Sequence, residues 1–245
     1  MKILETTDYL FNENIKIIQH KNGYRFSVDA LLLADFTYEN KEGLSYLEIG
    51  TGSGIIPITL IHFDKEKKIK KIYSVEIQKS LYILARKNIL LNNINNIELI
   101  NDDIKNIKKA LPSGKIDIVF SNPPFFENSR GRRNPDNEKY IARHEVYLTL
   151  KDLVKASNYL LKYEGKLKLI YPVKRLPALI ETLSKNSFGI SKLLPVYPKK
   201  GEEAKLILTE AIKGKKFTET KILPPVYINK NDKEYSVYIN NILKK

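Results

Sequence analysis

The chain is predicted to fold as an α/β protein built on a seven-stranded, mostly parallel, doubly wound sheet with an antiparallel edge strand. Three observations carry that expectation. Short apolar, β-branched runs alternate with helical periods from residue 44 onward, glycines cluster where the first of these runs meets a helix, and the last two runs are joined by a short charged turn instead of a helix.

The elements follow in order. Residues 1–24 carry little periodic signal beyond a strand at 15–18, with Asn22-Gly23 as a hairpin turn after it. Ser27 is placed to N-cap a helix that buries Ala30, Leu31 and Ala34. Strand 46–49, helix 55–62, strand 72–75, helix 80–91, strand 97–100, a short helix 104–111 and strand 116–120 then alternate. Residues 126–143 are polar and aperiodic, and a loop of that length inside a domain is read as functional or mobile. From 145 a helical period runs through Leu148, Leu153, Ala156, Tyr159 and Leu160, and Gly165 is read as its end. Strand 167–171 and helix 176–183 follow, then strands 190–197 and 205–211. The turn Lys199-Lys200-Gly201-Glu202-Glu203 makes these last two an antiparallel hairpin at one sheet edge. Residues 213–245 read as a basic tail with Leu223-Pro224-Pro225 as a breaker and a final helix at 234–243. The expectation is one domain over 1–245, with an N-terminal extension at 1–24.

At 245 residues and 42% hydrophobic content, the chain is long enough for one globular core. Lys and Arg number 42 against 28 Asp and Glu, and the net charge of +14 attracts acidic partners such as nucleic acid. AT-rich coding or thermal adaptation produces a similar bias. Zero cysteines exclude disulfides, a thiol nucleophile and Cys-ligated metals, and three histidines make no metal-ligand spacing, so no metal is expected. His20 and His62 read as structural or surface residues. No basic-then-apolar leader and no apolar run near ~20 residues is present, so a cytoplasmic chain without membrane contact is expected, as a monomer or weak dimer.

Four strand ends carry chemistry. The first runs into Glu48-Ile49-Gly50-Thr51-Gly52-Ser53-Gly54, where glycines let backbone approach a ligand. The single-residue spacing and the acidic Glu48 disfavour a pyrophosphate and suit a cation; tight strand-to-helix packing is the alternative. The second ends in Glu76-Ile77, a carboxylate able to accept both hydroxyls of a ribose, or simply a solvated strand end. The third ends in Asn101-Asp102-Asp103-Ile104, where Asp103 and the Ile104 N–H suit an adenine edge, while an N-cap role is the alternative, expected of Asp102 sooner than of Asp103. The fourth delivers Asn122-Pro123-Pro124-Phe125. Two prolines stiffen the segment and leave the Asn122 side-chain carbonyl, the Pro123 carbonyl and a flat ring facing one way, which suits a planar group bearing an NH2. A proline-rich turn is the alternative.

Glu48 to Gly54, Glu76, Asp103 and Asn122, in chain order at successive strand ends, resemble the class I S-adenosylmethionine-dependent methyltransferases, whose amino-group-modifying members carry a motif similar to Asn122-Pro123-Pro124-Phe125. Gly23-Tyr24-Arg25-Phe26-Ser27-Val28-Asp29-Ala30 looks like their N-terminal motif. Ala142-Arg143-His144-Glu145 is similar to a segment of the bacterial tRNA (adenine-N6)-methyltransferases that modify the adenosine beside the anticodon of a valine tRNA. The resemblance spans about residues 20–200. It implies S-adenosylmethionine as cofactor and tRNA as partner, with Arg25, Phe26 and Asp29 closing over the methionine end and Phe125 stacking on the base. Arg130, Arg132, Arg133 and Arg143 read as phosphate contacts, and His144 as a residue that orients the substrate loop or is merely exposed. Phe126 is left to the core. Other amino-group substrates (a guanine in ribosomal RNA, adenine in DNA, a protein glutamine) and a non-catalytic RNA-binding module on the same fold are the rival readings.

Overall fold

The structure, a computed structural model, describes residues 4–23, 25–123, 148–215 and 219–245. Strands β1 (Glu5–Leu10) and β2 (Ile15–His20) form a separate antiparallel hairpin. Its turn lies at residues 11–14, where Phe11, Asn12 and Glu13 take positive φ and the Asn14 side-chain amide donates to the Phe11 carbonyl at 2.7 Å. The chain does turn at Asn22-Gly23, where the Gly23 N–H donates to the His20 carbonyl at 3.1 Å, but this is not the hairpin turn that was expected there. Strand β1 alternates only exposed and half-buried residues and so carries too little apolar contrast to show as a strand. Helix α1 (Val28–Thr37) follows, with Ser27 at its N-cap by backbone geometry but without a side-chain capping bond.

Strands β3 (Ser45–Ile49), β4 (Lys71–Val75), β5 (Ile97–Ile100), β6 (Ile116–Ser121) and β7 (Leu161–Pro172) are all parallel, in the spatial order β5-β4-β3-β6-β7. Beyond β7 the direction reverses. Strand β9 (Leu206–Lys213) lies antiparallel between β7 and β8 (Phe188–Tyr197), and β8 in turn pairs in parallel with the two-residue strands β10 (Lys221–Ile222) and β11 (Val226–Tyr227). The sheet has nine strands instead of seven, and its antiparallel strand is interior instead of at the edge. The two added strands are too short for any period to announce them.

Helices α2 (Ile55–Phe63), α3 (Lys79–Leu91), α4 (Leu150–Leu160) and α5 (Leu176–Lys185) follow β3, β4, the segment after β6, and β7, and α6 (Val237–Leu243) closes the chain. A 3₁₀ turn, Ile104–Lys109, stands where a helix over 104–111 was expected. Gly165 does not end a helix. Helix α4 stops at Leu160, and Gly165 lies inside β7, beside the register shift between Ile116 and Ile118 of β6. A Cβ there would sit 2.9 Å from the Lys162 carbonyl oxygen, so close backbone approach is what excludes a side chain.

Strand pleating sorts the core into two layers. Tyr46, Ile72, Ile118, Phe120 and Ile170 face α1, α2 and α3, while Leu47, Ile49, Val75, Val119 and Leu169 face α4 and α5. In the first layer Lys168 is only 2% exposed; its ammonium donates to the carbonyls of Phe36 at 3.1 Å and Thr37 at 3.3 Å and to Glu39 at 2.8 Å, and lies 3.3 Å from Glu210. His62 stacks on Phe11, ring centroids 4.5 Å apart, and burial followed by the nearby Lys65 lowers its pKa to about 4, so it is a neutral packing residue. No described helix is long and apolar enough to cross a membrane.

Candidate active site

The order of strands reverses between β3 and β6, since the chain adds β4 and β5 on one side and β6 and β7 on the other. Loops leaving such a switch point diverge and open a crevice at the carboxyl ends of the strands. The ends of β3, β4 and β5 meet there, with Ile49, Gly50, Val75, Glu76, Ile77, Asp103 and Ile104 among the residues that line a cleft of about 300 Å³ including its mouth, and the end of β6 stands beside that of β3.

The glycine loop is hung from the neighbouring strand. The N–H groups of Gly50 and Thr51 donate to the Val75 carbonyl at 2.9 and 3.1 Å, and Gly54 serves as N-cap of α2. Gly50 and Gly52 have φ of 79° and 58°, and a Cβ on either would meet no atom within 4 Å. The loop thus turns bare backbone toward open space in a conformation that favours glycine. Beneath it Glu48 is completely buried. One carboxylate oxygen accepts from the Thr51 hydroxyl, while Oε1 has no hydrogen-bond partner among the described residues. Burial pushes the Glu48 carboxyl up to about 8; the Thr51 bond opposes this and the charge of Glu76 adds to it. Ser53 is buried, and its carbonyl accepts from the Asn88 side chain at 2.8 Å.

Glu76, 4% exposed, accepts the Gly52 N–H at 2.9 Å on Oε2 and the Gln78 N–H at 2.9 Å on Oε1. It is a buried, oriented acceptor instead of a solvated strand end. At the end of β5 the cap falls to Asp103 and not, as expected, to Asp102: Asp103 Oδ1 accepts the Lys105 N–H at 2.9 Å and its Oδ2 pairs with the Lys105 ammonium at 3.0 Å. The same residue lines the cleft. Asp102 is occupied as well, accepting the Asp103 N–H at 2.7 Å and the Asn106 side chain at 2.9 Å; the Asn106 bond, then the backbone bond, holds its carboxyl below the usual range.

Asn122 is half-buried directly after β6, and Pro123 is buried. Arg25 is exposed and forks onto Asp8 of the hairpin at 2.7 and 3.0 Å, with a further bond to the Thr6 hydroxyl at 2.8 Å. The Phe26 N–H donates to Gln19 Oε1 at 2.9 Å. Asp29 lies in the first turn of α1, where burial raises its pKa against a bond from Ser27. Pro124, Phe125, Phe126, Arg130, Arg132, Arg133, Arg143 and His144 lie outside the described residues.

Sequence reasoning missed the residues that tie these ends together. The Ser121 hydroxyl, fully buried, donates to the Ile49 carbonyl at 2.7 Å, and the Asn101 side chain donates to the carbonyls of Glu76 at 2.8 Å and Ile77 at 3.3 Å. Asn88 holds both the N–H and the carbonyl of Ile18, at 2.8 and 2.9 Å, besides Ser53, so it joins the N-terminal hairpin to the glycine loop. A polar residue on the buried face of a helix is the one sequence signal that marks Asn88.

The arrangement fits a cationic nucleoside. It offers acceptors in place of cationic side chains, an orphaned buried carboxyl oxygen, bare backbone beneath open space, and apolar walls at Ile77, Ile104 and Leu148 for a flat ring. A switch-point sheet with this donor set defines a class I methyltransferase, whose cofactor is S-adenosylmethionine. The methyltransferase-domain family profile matches residues 40–220. A protein of Trichodesmium erythraeum named tRNA1(Val) (adenine(37)-N6)-methyltransferase is 32% identical over 171 residues, 69% of this chain and 70% of its own. A Porphyromonas gingivalis protein of the same name is 29% identical over 231 residues, 89% of each. Among solved structures, a predicted O-methyltransferase of Agrobacterium tumefaciens superposes with a TM-score of 0.68 at 18% identity, covering 87% of this chain and 94% of that one. The chain belongs to the methyltransferase-domain family and, within it, to the family of the proteins named tRNA1(Val) (adenine(37)-N6)-methyltransferase.

Proposed function

We propose that the chain methylates N6 of an adenosine in tRNA, the anticodon-adjacent adenosine of a valine tRNA, with S-adenosylmethionine as donor. The observation that supports this most directly is that Glu48 with the glycine loop, Glu76, Asp103 and Asn122 stand at the carboxyl ends of four adjacent parallel strands around one switch point, in a chain whose relatives carry that name. When bound, S-adenosylmethionine supplies a methyl carbon activated by a sulfonium.

The chain's own residues then divide the work. Gly50, Thr51, Gly52, Ser53 and Gly54 hold backbone against the methionine end, with Glu48 beneath and Arg25, Phe26 and Asp29 closing over it. Glu76 accepts the ribose hydroxyls, Ile77 and Ile104 sandwich the adenine, and Asp103 accepts its amine. Asn122 Oδ1 and the Pro123 carbonyl accept the two N–H groups of the substrate amine. Their pull localises the nitrogen lone pair toward the methyl carbon and stabilises positive charge developing on that nitrogen. No strong base is needed, since the alkylated amine is acidic. Pro124 stiffens the segment, Phe125 stacks on a base held out of its loop, Arg130, Arg132, Arg133 and Arg143 contact phosphates, and His144 orients the substrate.

The test is transfer of labelled methyl to total RNA, DNA and protein in parallel, followed by nucleoside analysis. N6-methyladenosine in the tRNA fraction is expected; label confined to DNA, to protein or to methylated guanosine overturns the reading.

A further inference from the structure

Resting on that reading, we propose that the groove between the 3₁₀ turn Ile104–Lys109 and helix α4 is a track for the phosphodiester backbone of the RNA, outside the modified nucleotide. The groove begins where the cofactor cleft ends, because Ile104 lines both. Helix α4 starts at the same rim: Leu148 lines the cleft and Thr149 caps the helix, accepting the Asp152 N–H at 3.1 Å.

Each wall carries a basic stripe set by its own period. A 3₁₀ turn repeats every three residues, so Lys105 and Lys108 stand one above the other. On α4, Lys151, Lys155 and Tyr159 recur every four residues and share one side of the helix. Ile107 and Ala156 lie between the walls. All four lysines are exposed. Lys108, Lys155 and, one helical turn before it and just outside the lining, Lys151 form no ion pair with any described residue; Asp103 pairs with Lys105, and Asp152 accepts from the Thr149 hydroxyl at 2.7 Å but keeps its charge, so four lysines face two carboxylates. The groove therefore presents net positive charge that intramolecular pairing leaves available.

The geometry selects phosphate over base. The Tyr159 ring is fixed through a bond from its hydroxyl to the Leu111 carbonyl at 3.3 Å, and the Lys108 ammonium already sits over it, 5.2 Å from the centroid. That face is unavailable for base stacking, whereas the ammonium it steadies remains exposed. Lysine is a flexible point charge suited to phosphate oxygens, and phosphate contacts position a backbone without reading its sequence.

The test combines Lys108→Gln, Lys151→Gln and Lys155→Gln in the full chain and leaves Lys105 in place because it pairs with Asp103. Equilibrium binding of a tRNA transcript is measured across a salt series, alongside methyl-transfer kinetics and calorimetry with S-adenosylmethionine. Three lost contacts, at about 0.7 per phosphate on single strands, reduce the slope of log K against log salt by about 2. The tRNA KM is expected to rise about tenfold, with kcat at saturating tRNA and cofactor affinity unchanged. Lys155→Gln alone is expected to give about a third of the slope change, which keeps the test decisive should the triple variant misfold. An unaltered slope and KM, or RNA and cofactor affinities that fall together, overturn the track. Wild-type chain that transfers no methyl to any tRNA overturns instead the reading on which it rests.

Discussion

Glu48 makes the site's electrostatics measurable through folding stability. Its carboxyl titrates near 8 in the folded chain against 4.5 when unperturbed, with burial the main cause. Between these values the folded state holds a proton that the unfolded state has released. Stability is therefore greatest below the unfolded value and is lost as pH rises toward 8. For a single site with these two values, the loss between pH 5 and pH 7 is on the order of 2–3 kcal/mol. Glu48→Gln is isosteric with the protonated acid and keeps an oxygen for the Thr51 hydroxyl, but it cannot titrate. Urea unfolding of both chains at pH 5, 6 and 7 isolates the term, because every other group cancels in the difference. The stability gap is expected to move in favour of the Gln variant by about that amount from pH 5 to pH 7. Parallel pH profiles would show that Glu48 ionises normally, and the account of a buried, half-satisfied carboxyl would be wrong.

Asn122→Ala is expected to lower turnover at least about a hundredfold with cofactor affinity little changed, as steady-state kinetics beside calorimetry would show. Glu76→Ala removes the acceptor of the Gly52 and Gln78 N–H groups as well as the proposed ribose contact, so the cofactor dissociation constant should rise at least about tenfold; an unchanged constant removes Glu76 from the cofactor site. Lys168→Ala removes the buried ammonium shared by Glu39 and Glu210, whose carboxyls it helps to hold below their usual range despite their burial, but leaves Glu39 paired with Lys166 at 2.6 Å and Glu210 with Lys192 at 3.1 Å. With those partners kept, the loss in urea unfolding should be about 1.5–3 kcal/mol, the range of a hydrogen bond to a charged group, and a loss well under 1 kcal/mol would mean that water already reaches the cluster.

The parallel half of the fold was legible because its signals are local. Each β-branched run ends within a few residues of a glycine, an acid or an Asn-Pro pair, and the structure brings the ends of β3, β4, β5 and β6 to one edge as their order implies. The hairpin β1-β2 was missed because its first strand buries almost nothing, and the interior place of β9 because no local pattern says which neighbour an antiparallel strand takes. The ties between strand ends were invisible for a related reason. Ser121 meets Ile49 across 72 positions and Asn88 meets Ile18 across 70, and a serine or asparagine reads the same in sequence whether or not such a partner exists.

Those ties bear on how the chemistry is achieved. Direct displacement at a methyl carbon depends on placement more than on acid–base groups, and a misplacement near 1 Å costs about a hundredfold. The Ser121 hydroxyl fixes the end of β6 to the end of β3 one residue before Asn122 and one before Gly50. Glu76 fixes the glycine loop to the end of β4, and Asn101 fixes the end of β5 to the same place. The proposed amine acceptor and the proposed cofactor cradle are thus connected through three short bonds between strand ends, that of Ser121 buried and the other two part-buried. Their relative position is a property of the sheet, and the segment after Pro123 is left to decide which nucleotide is presented to them.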